Sequence, residues 1–187
     1  MMNKSSRFNS LSGISGIATG IYAIIGSLIG YQYVTKNNIE ISNLDSYHFS
    51  LLFADLVLII FSSLITSLII TRRKVKLDGI SSGGILTKKM LSNFLIILIP
   101  STIYVLILIM KHDFVGAGSL MLFFYGASLI NASHNTLEEI KTLGLIEIVL
   151  GLLITLIPAF AFWIWIIGAG IVHVIFGLYM YFKHENK

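Results

Sequence analysis

A carboxylate and an imidazole occupy matching positions in two apolar segments near the end of this chain. Each of these residues, Glu147 and His173, lies three positions after one glycine and four positions before another. The flanking glycines are Gly144, Gly151, Gly170 and Gly177. Residues at these spacings share one face of a helix. If the segments meet, the pair either forms a hydrogen bond that joins the helices or binds and releases a proton, because imidazole titrates near neutral pH.

The spacing of these residues also predicts how the two segments meet. Folding them into an antiparallel hairpin about a turn near Pro158 and Phe160 places Glu147 opposite His173. The same register predicts two glycine pairs, Gly144 with Gly177 and Gly151 with Gly170. Small residues at such positions let helices approach closely. Ionisable residues inside membrane spans are costly and are interpreted first as functional, so this pair is the leading site hypothesis.

The elements that must position the pair are long apolar runs. Hydrophobic residues make up 56% of the 187 residues and charged residues only 12%, whereas a soluble domain has about 25% charged residues. The mean hydropathy is +0.87. Runs of about 20 apolar residues cross a hydrocarbon core of about 30 Å as helices. The sequence therefore predicts an all-α fold, a polytopic membrane helix bundle.

Six such runs are long enough to cross a membrane, and no soluble domain fits between them. The predicted spans are residues 11–34, 49–71, 90–110, 114–132, 137–157 and 162–182, within one membrane domain over residues 1–187. A helix rises about 1.5 Å per residue, which puts Glu147 and His173 roughly 15 Å from the nearer membrane surface. The pair is thus expected close to the middle of the bilayer.

Lysine and arginine predict the orientation of these spans, because cytoplasmic connections are rich in both residues. With the N-terminus inside, the cytoplasmic positions are Lys4, Arg7, Arg72, Arg73, Lys74, Lys76, Lys88, Lys89, Lys141, Lys183 and Lys187. Only Lys36 and Lys111 fall outside. This bias predicts that both the N-terminus and the C-terminus are cytoplasmic.

The longest cytoplasmic connection, residues 72–89, is predicted to be a basic loop that faces lipid. Its cationic residues are Arg72, Arg73, Lys74, Lys76, Lys88 and Lys89. Basic residues beside a span attract anionic lipid headgroups by about 1 kcal/mol each. The net charge of +4 is concentrated beside the spans, so it does not indicate a nucleic-acid partner.

The first span repeats the glycine spacing of the last two. Its stripe consists of Gly13, Gly16 and Gly20. Such stripes let helix backbones approach closely, although glycine is common in membrane helices generally. We therefore expect the first span to form a third wall beside Glu147 and His173.

Asp55 is the remaining acid within a span. The helix rise places it about 10 Å below the outer end of the second span. At that depth it can reach the outer interface or bond Tyr104 or Lys111. We interpret Asp55 as an isolated intramembrane acid that is either hydrogen-bonded or located at the outer interface.

Catalytic and metal chemistry have little support in the sequence. No further His, Asp or Glu lies at the depth of Glu147 and His173, so the pair lacks the third protein ligand of a zinc site. The chain has no cysteine, which excludes disulfides and thiol nucleophiles. It also lacks a nucleophile elbow and a phosphate-binding glycine loop. The sequence thus predicts no catalytic residue, no metal site and no cofactor.

Several stretches of the chain resemble a family of small bacterial six-span membrane proteins. They are NSLSGISG (residues 9–16), YGASLINAS (125–133), TLEEI (136–140) and LGLIEI (143–148). The resemblance implies six spans in a bacterial cytoplasmic (inner) membrane, and it carries no activity. The glycine-rich hairpin is also loosely similar to repeats of acid-resistance membrane proteins, a similarity from which no function follows.

Together these observations predict a non-enzymatic integral membrane protein of structural or regulatory type. It would act through helix packing in the bilayer, with itself as a homo-oligomer or with a membrane-protein partner. The alternative is a small transporter or channel with a proton-linked site at Glu147 and His173. A continuous polar lining would favour transport, yet the polar residues in the spans are mostly isolated serine, threonine and glycine.

Overall fold

The computed structural model describes residues 13–40, 44–77, 85–134 and 138–184, and every regular element in these ranges is helical. The first five helices are α1 (Gly13–Lys36), α2 (Ser46–Leu77), α3 (Ile85–Met110), α4 (Phe114–Ser133) and α5 (Glu138–Leu156). A continuous C-terminal helix follows. Its parts are a 3-10 turn (Pro158–Phe160), α6 (Ala161–Ile166), a π-helical segment (Ile167–Val172) and α7 (His173–His184).

Within the described ranges, five helices are long and apolar enough to cross a membrane, namely α1, α2, α3, α4 and the C-terminal helix. The chain is therefore a multi-pass membrane protein with an all-helical fold. The remaining predicted span, residues 137–157, corresponds to α5, which has 19 residues. It differs from the others in composition, because it carries Glu138, Glu139, Lys141 and Glu147. Three of these charges lie at its start, and only Glu147 lies well inside the helix.

Two helices extend further than the apolar pattern predicts. α2 continues to Leu77 and α3 begins at Ile85, so much of the predicted loop over residues 72–89 is helical. The prediction of a loop was wrong for residues 72–77 and 85–89, because lysine and arginine are good helix formers; its central part, residues 78–84, lies outside the described residues. Their long side chains also carry charge outward from a helix end to the membrane surface. Where the structure describes their side chains, the basic residues are exposed: Arg73, Lys88 and Lys89.

One half of the bundle is formed by α3, α4, α5 and the C-terminal helix. α4 and α5 run antiparallel, since Gly126 lies against Gly144 and Ser119 lies against Gly151. Ser119 also donates a hydrogen bond to the Gly151 carbonyl at 2.7 Å, which joins the two helices directly. α3 packs on the other side of α4, where the side-chain amide of Asn131 donates to the Asn93 carbonyl at 2.7 Å.

The other half is formed by α1 and α2. In it, α1 lies between α2 and the C-terminal helix. Two side-chain hydrogen bonds join α1 to α2, Tyr22 with Thr66 at 3.1 Å and Tyr33 with His48 at 2.7 Å. α1 packs along the length of α2. The rest of the α2 surface is apolar and exposed, as expected for a helix that faces lipid.

Candidate functional site

The side chain of Glu147 is fully buried in the interior of the bundle, with no exposed surface. It shares the buried face of α5 with Gly144 and Gly151, so the predicted spacing does define one helix face. Its Oε2 atom lies against Gly168 of the π-helical segment, where an added Cβ would come within 2.9 Å of the oxygen. Glycine at position 168 therefore leaves the space that the carboxylate occupies. Neither carboxylate oxygen has a hydrogen-bond partner among the described residues.

His173 lies beside Glu147, in the register that the matching spacings predict. Its Nδ1 atom is 3.4 Å from Oε1 of Glu147. That distance exceeds the roughly 2.7–2.9 Å of a charge-assisted hydrogen bond. Instead, Nδ1 is 2.9 Å from the carbonyl oxygen of Gly168. A carbonyl can only accept, so Nδ1 carries a proton and donates it to Gly168.

The other ring nitrogen of His173 faces α4. Nε2 lies 2.9 Å from the hydroxyl oxygen of Tyr125. With Nδ1 protonated, Nε2 of the neutral ring is an acceptor, and the Tyr125 hydroxyl donates to it. The tyrosine and histidine rings also lie close, with centroids 5.4 Å apart. The site is therefore a short chain of groups that runs from Tyr125 through His173 toward Glu147.

A change of helix type makes the contact with Gly168 possible. The segment Ile167–Val172 is π-helical, and Gly168 precedes His173 by five residues. A π turn is wider than an α turn and pairs residues five apart, and such turns occur often at functional sites. The wide turn thus brings the Gly168 carbonyl to the imidazole and the Gly168 Cα to the carboxylate.

The predicted glycine pairs across the hairpin are not formed, which corrects that part of the sequence interpretation. Gly144 and Gly151 contact α4, whereas Gly170 and Gly177 contact α1. An added Cβ on Gly144 would lie 2.6 Å from the Gly126 carbonyl oxygen of α4. The physical reason is that glycines flanking a central residue cover a face wide enough for two neighbouring helices. Glu147 and His173 meet across the hairpin, while the glycines that flank them let α4 and α1 approach closely.

α1 lies against the C-terminal helix through the stripe that the sequence singled out. Gly13 and Gly16 pack against Gly177, and Gly20 packs against Gly170. An added Cβ on Gly20 would lie 2.5 Å from the Gly170 carbonyl oxygen, so the backbones are in direct contact. This contact puts α1 behind the segment that carries His173.

Asp55 lies apart from this site. It is half-buried on α2, and its carboxylate contacts the groove of α1 at Gly26 and Gly30. In the part of the chain that the structure describes, no hydrogen bond joins Asp55 to Tyr104 or Lys111, so these two alternatives are not formed and contact with the outer interface stays a prediction. The helix that carries Asp55 packs along α1.

A cavity of about 180 Å³, partly open to the outside of the bundle, reaches the polar chain between α1, α2, α4, α5 and α7. Tyr125 and His173 line it, together with the hydroxyl-bearing residues Ser15, Thr19 and Ser67. The rest of its wall is mainly apolar, formed by Leu129, Ile140, Leu143, Phe176 and Met180. Glu147 does not line the cavity and lies behind the imidazole ring.

Sequence reasoning missed two residues of the site, Tyr125 and Gly168. Tyr125 lies next to Gly126, which packs against the backbone of Gly144, but a single tyrosine in an apolar span carries no signal of its own. Gly168 lies five residues before His173, a spacing that becomes meaningful only when the helix widens to a π turn. No group of three His, Asp or Glu residues that could hold a metal ion occurs in the described ranges.

The fold and the site define a multi-pass, α-helical membrane protein with a buried carboxyl–imidazole–hydroxyl chain next to a mainly apolar cavity. No protein-family model, curated protein or solved structure matches this chain. Its function therefore has to be argued from the chemistry of the site.

Proposed function

We propose that the chain is a small non-enzymatic membrane protein in which Glu147 and His173 bind and release a proton, as in a proton-linked transporter or channel. The observation that carries this proposal is the state of the Glu147 carboxyl group. It is fully buried, its oxygens lack hydrogen-bond partners among the described residues, and the nearest donor, Nδ1 of His173, is bound to Gly168.

A purely structural pair would be arranged differently. A buried ion pair is stable only when good geometry and further hydrogen bonds satisfy both charges. Here the 3.4 Å contact leaves the carboxyl group poorly satisfied, while the imidazole is held from both sides by Gly168 and Tyr125. Hydrogen bonds hold the His173 ring in place, while the Glu147 carboxyl group keeps no such bond in the described part of the chain. This arrangement supports proton exchange more than a permanent hydrogen bond between the two side chains.

Proton binding at this site would be coupled to the cavity. With one titratable proton between them, Glu147 and His173 have no net charge. Gain or loss of a proton leaves a net charge inside the bilayer, which is strongly disfavoured unless water or a solute stabilises it. The cavity beside His173 is where such a molecule would bind, so its occupancy and the protonation of the pair would depend on each other.

We also propose six spans, with α5 as the fifth and both termini in the cytoplasm of a bacterium, in its inner membrane. The positive charges on the connections support this orientation. The antiparallel packing of α5 against α4 supports a crossing by α5, because α4 itself is a span of 20 residues. The charged residues at the start of α5 would then lie at the cytoplasmic surface. There Lys183 donates to Glu139 at 2.6 Å.

A second candidate function is structural or regulatory, through helix packing with a second copy or another membrane protein. The exposed apolar surface of α2 supports it, since Leu58, Phe61 and Leu64 are all more than half exposed in the described part of the bundle. Lipid alone can also cover such a surface. A protein that runs as a monomer in several mild detergents, with no co-purifying membrane protein, would exclude this candidate.

Infrared titration of the protein in lipid tests the proton-linked function. A protonated carboxyl group has a C=O stretching band that disappears on ionisation. We expect a band that titrates with bulk pH, is absent in Glu147→Gln, and persists in the matched control Asp55→Asn. The control removes the other intramembrane acid, which lies away from the site.

A further inference from the structure

We propose that the cavity beside His173 binds a small, neutral, mainly apolar molecule that bears one hydroxyl or N–H group. This inference deepens the proposed function, on which it rests, because it names the class of molecule whose binding would be linked to the proton. It is drawn from the volume of the cavity, the charge of its lining and the hydrogen-bond roles of Tyr125 and His173.

The volume sets the size of the molecule. An apolar cavity of about 150 Å³ is large enough to hold benzene. The cavity here measures about 180 Å³, so one aromatic ring or a branched chain with a small substituent fits. Its walls of leucine, isoleucine, phenylalanine and methionine suit an apolar body. Mainly apolar walls with a few placed polar groups are typical of small-molecule sites.

The lining also sets the charge of the molecule. Among the residues that the structure describes, no lysine, arginine, aspartate or glutamate lines the cavity, and His173 is the one lining residue there that titrates near neutral pH. A carboxylate or an ammonium ion would therefore leave water without a fixed counter-charge in the cavity wall, which is costly. A neutral molecule avoids that penalty.

The hydrogen bonds determine which polar group the molecule carries. The Tyr125 hydroxyl donates its proton to Nε2 of the neutral His173 ring, so its oxygen remains an acceptor toward the cavity. A hydroxyl or N–H group can donate to that oxygen. Such a bond would also strengthen the donation from Tyr125 to His173, since bonds in a chain polarise one another.

Protonation of the ring would reverse these roles. With a proton on Nε2, the ring donates to the Tyr125 oxygen, and the tyrosine no longer offers the same acceptor to the cavity. The titratable groups that face His173 in the described helices are Glu147 from α5 and Tyr125 from α4. Binding of a donor molecule should therefore weaken as the pair takes up a proton, that is, as pH falls.

Phenol is a suitable probe, with benzene as the matched probe that lacks the hydroxyl. Each is added to the full-length protein in lipid nanodiscs, and the shift of the unfolding temperature with free probe concentration gives an apparent affinity. Ser67→Phe fills the cavity from α2, and Leu68→Phe places the same ring at a lipid-facing position that is 56% exposed. Comparing these variants cancels effects of the probes on the lipid itself.

We expect phenol to stabilise the wild type and Leu68→Phe but not Ser67→Phe. We also expect phenol to bind roughly three- to ten-fold more tightly than benzene, as one added hydrogen bond predicts, and Tyr125→Phe to remove this preference. Equal stabilisation of Ser67→Phe and Leu68→Phe would overturn the proposal. So would an equal affinity of the wild type for both probes.

These measurements test the bound molecule and the proton site independently of each other. If phenol binds in the cavity but its affinity does not change with pH, the cavity assignment stands and the proton link does not. If the Glu147 carboxyl titrates in the infrared spectrum but phenol does not bind, the proton site stands and the assigned class of molecule is wrong.

Discussion

The surroundings of the Glu147 carboxyl group depend on Gly168, a residue with no side chain. Gly168 makes room for the carboxyl group and holds the neighbouring imidazole through its carbonyl oxygen. The ring is thereby kept 3.4 Å from the acid, in contact but without a hydrogen bond of normal length. Tyr125 holds the ring from the opposite side at 2.9 Å. Four residues thus form the site, although only two of them stand out in the sequence.

A double-mutant cycle between Glu147→Gln and His173→Gln measures whether the pair acts as a unit. Loss of the ring leaves buried groups unpaired, so His173→Gln should lower the free energy of unfolding by about 1–3 kcal/mol. The loss should be smaller in the Glu147→Gln background, because the amide leaves no charge to desolvate. Thermal unfolding of both singles and the double in one detergent gives the coupling.

We expect a coupling free energy of about 0.5–3 kcal/mol for this pair. Asp55→Asn combined with His173→Gln is the control, and those two effects should add to within about 0.5 kcal/mol. Additive effects of Glu147→Gln and His173→Gln would mean that the two side chains do not interact.

At the scale of helices, backbone contacts at glycines set the distances between neighbours. The contacts of Gly144 with Gly126 and of Gly20 with Gly170 leave no space for a methyl group. In a membrane such close packing replaces the hydrophobic effect as the source of helix association. The glycines therefore fix where α4 and α1 lie, and so where Tyr125 and the cavity lie relative to His173.

Alanine substitutions of Gly144 and Gly118 should separate this effect of close packing from helix propensity. An added Cβ on Gly144 meets backbone at 2.6 Å, so Gly144→Ala should lower the free energy of unfolding by about 1–3 kcal/mol. On Gly118 the nearest atom is Cδ1 of Trp165 at 3.6 Å, an ordinary contact. Gly118→Ala should therefore be neutral or stabilising by up to about 1 kcal/mol, the gain in helix propensity. Equal losses in both variants, measured by unfolding in a single detergent, would refute the assigned contacts.

The sequence predicts some elements of this fold better than others, for physical reasons. Hydropathy finds the apolar part of each span, but it misses the helical ends of α2, where lysine and arginine continue the helix beyond the hydrocarbon. Spacing finds the register of Glu147 and His173, because adjacent helices in a hairpin share one midpoint. It does not find the partners of Gly170 and Gly177, because those lie on α1 at the other end of the chain. Tyr125 is missed for the same reason, since its contact with His173 crosses between non-adjacent helices.

For the whole molecule, the side of the membrane on which each connection lies decides between five and six crossings. The chain has no native cysteine, so single cysteines can be introduced without other changes. With six spans, Asn38→Cys, Lys111→Cys and Phe160→Cys should react with an impermeant maleimide added outside intact cells. Gly79→Cys and Asn135→Cys should react only after the membrane is permeabilised. Reaction of Phe160→Cys only after permeabilisation would mean that α5 does not cross.

The infrared titration of Glu147 tests the central claim most directly, because it observes the carboxyl group itself in the intact protein in lipid. The account predicts a carboxyl C=O band that titrates with bulk pH over the range in which the protein stays folded. It also predicts that the band shifts in His173→Gln, persists in Asp55→Asn and disappears in Glu147→Gln. A band that does not change over this pH range, or one that survives Glu147→Gln, would contradict a proton site at Glu147 and His173.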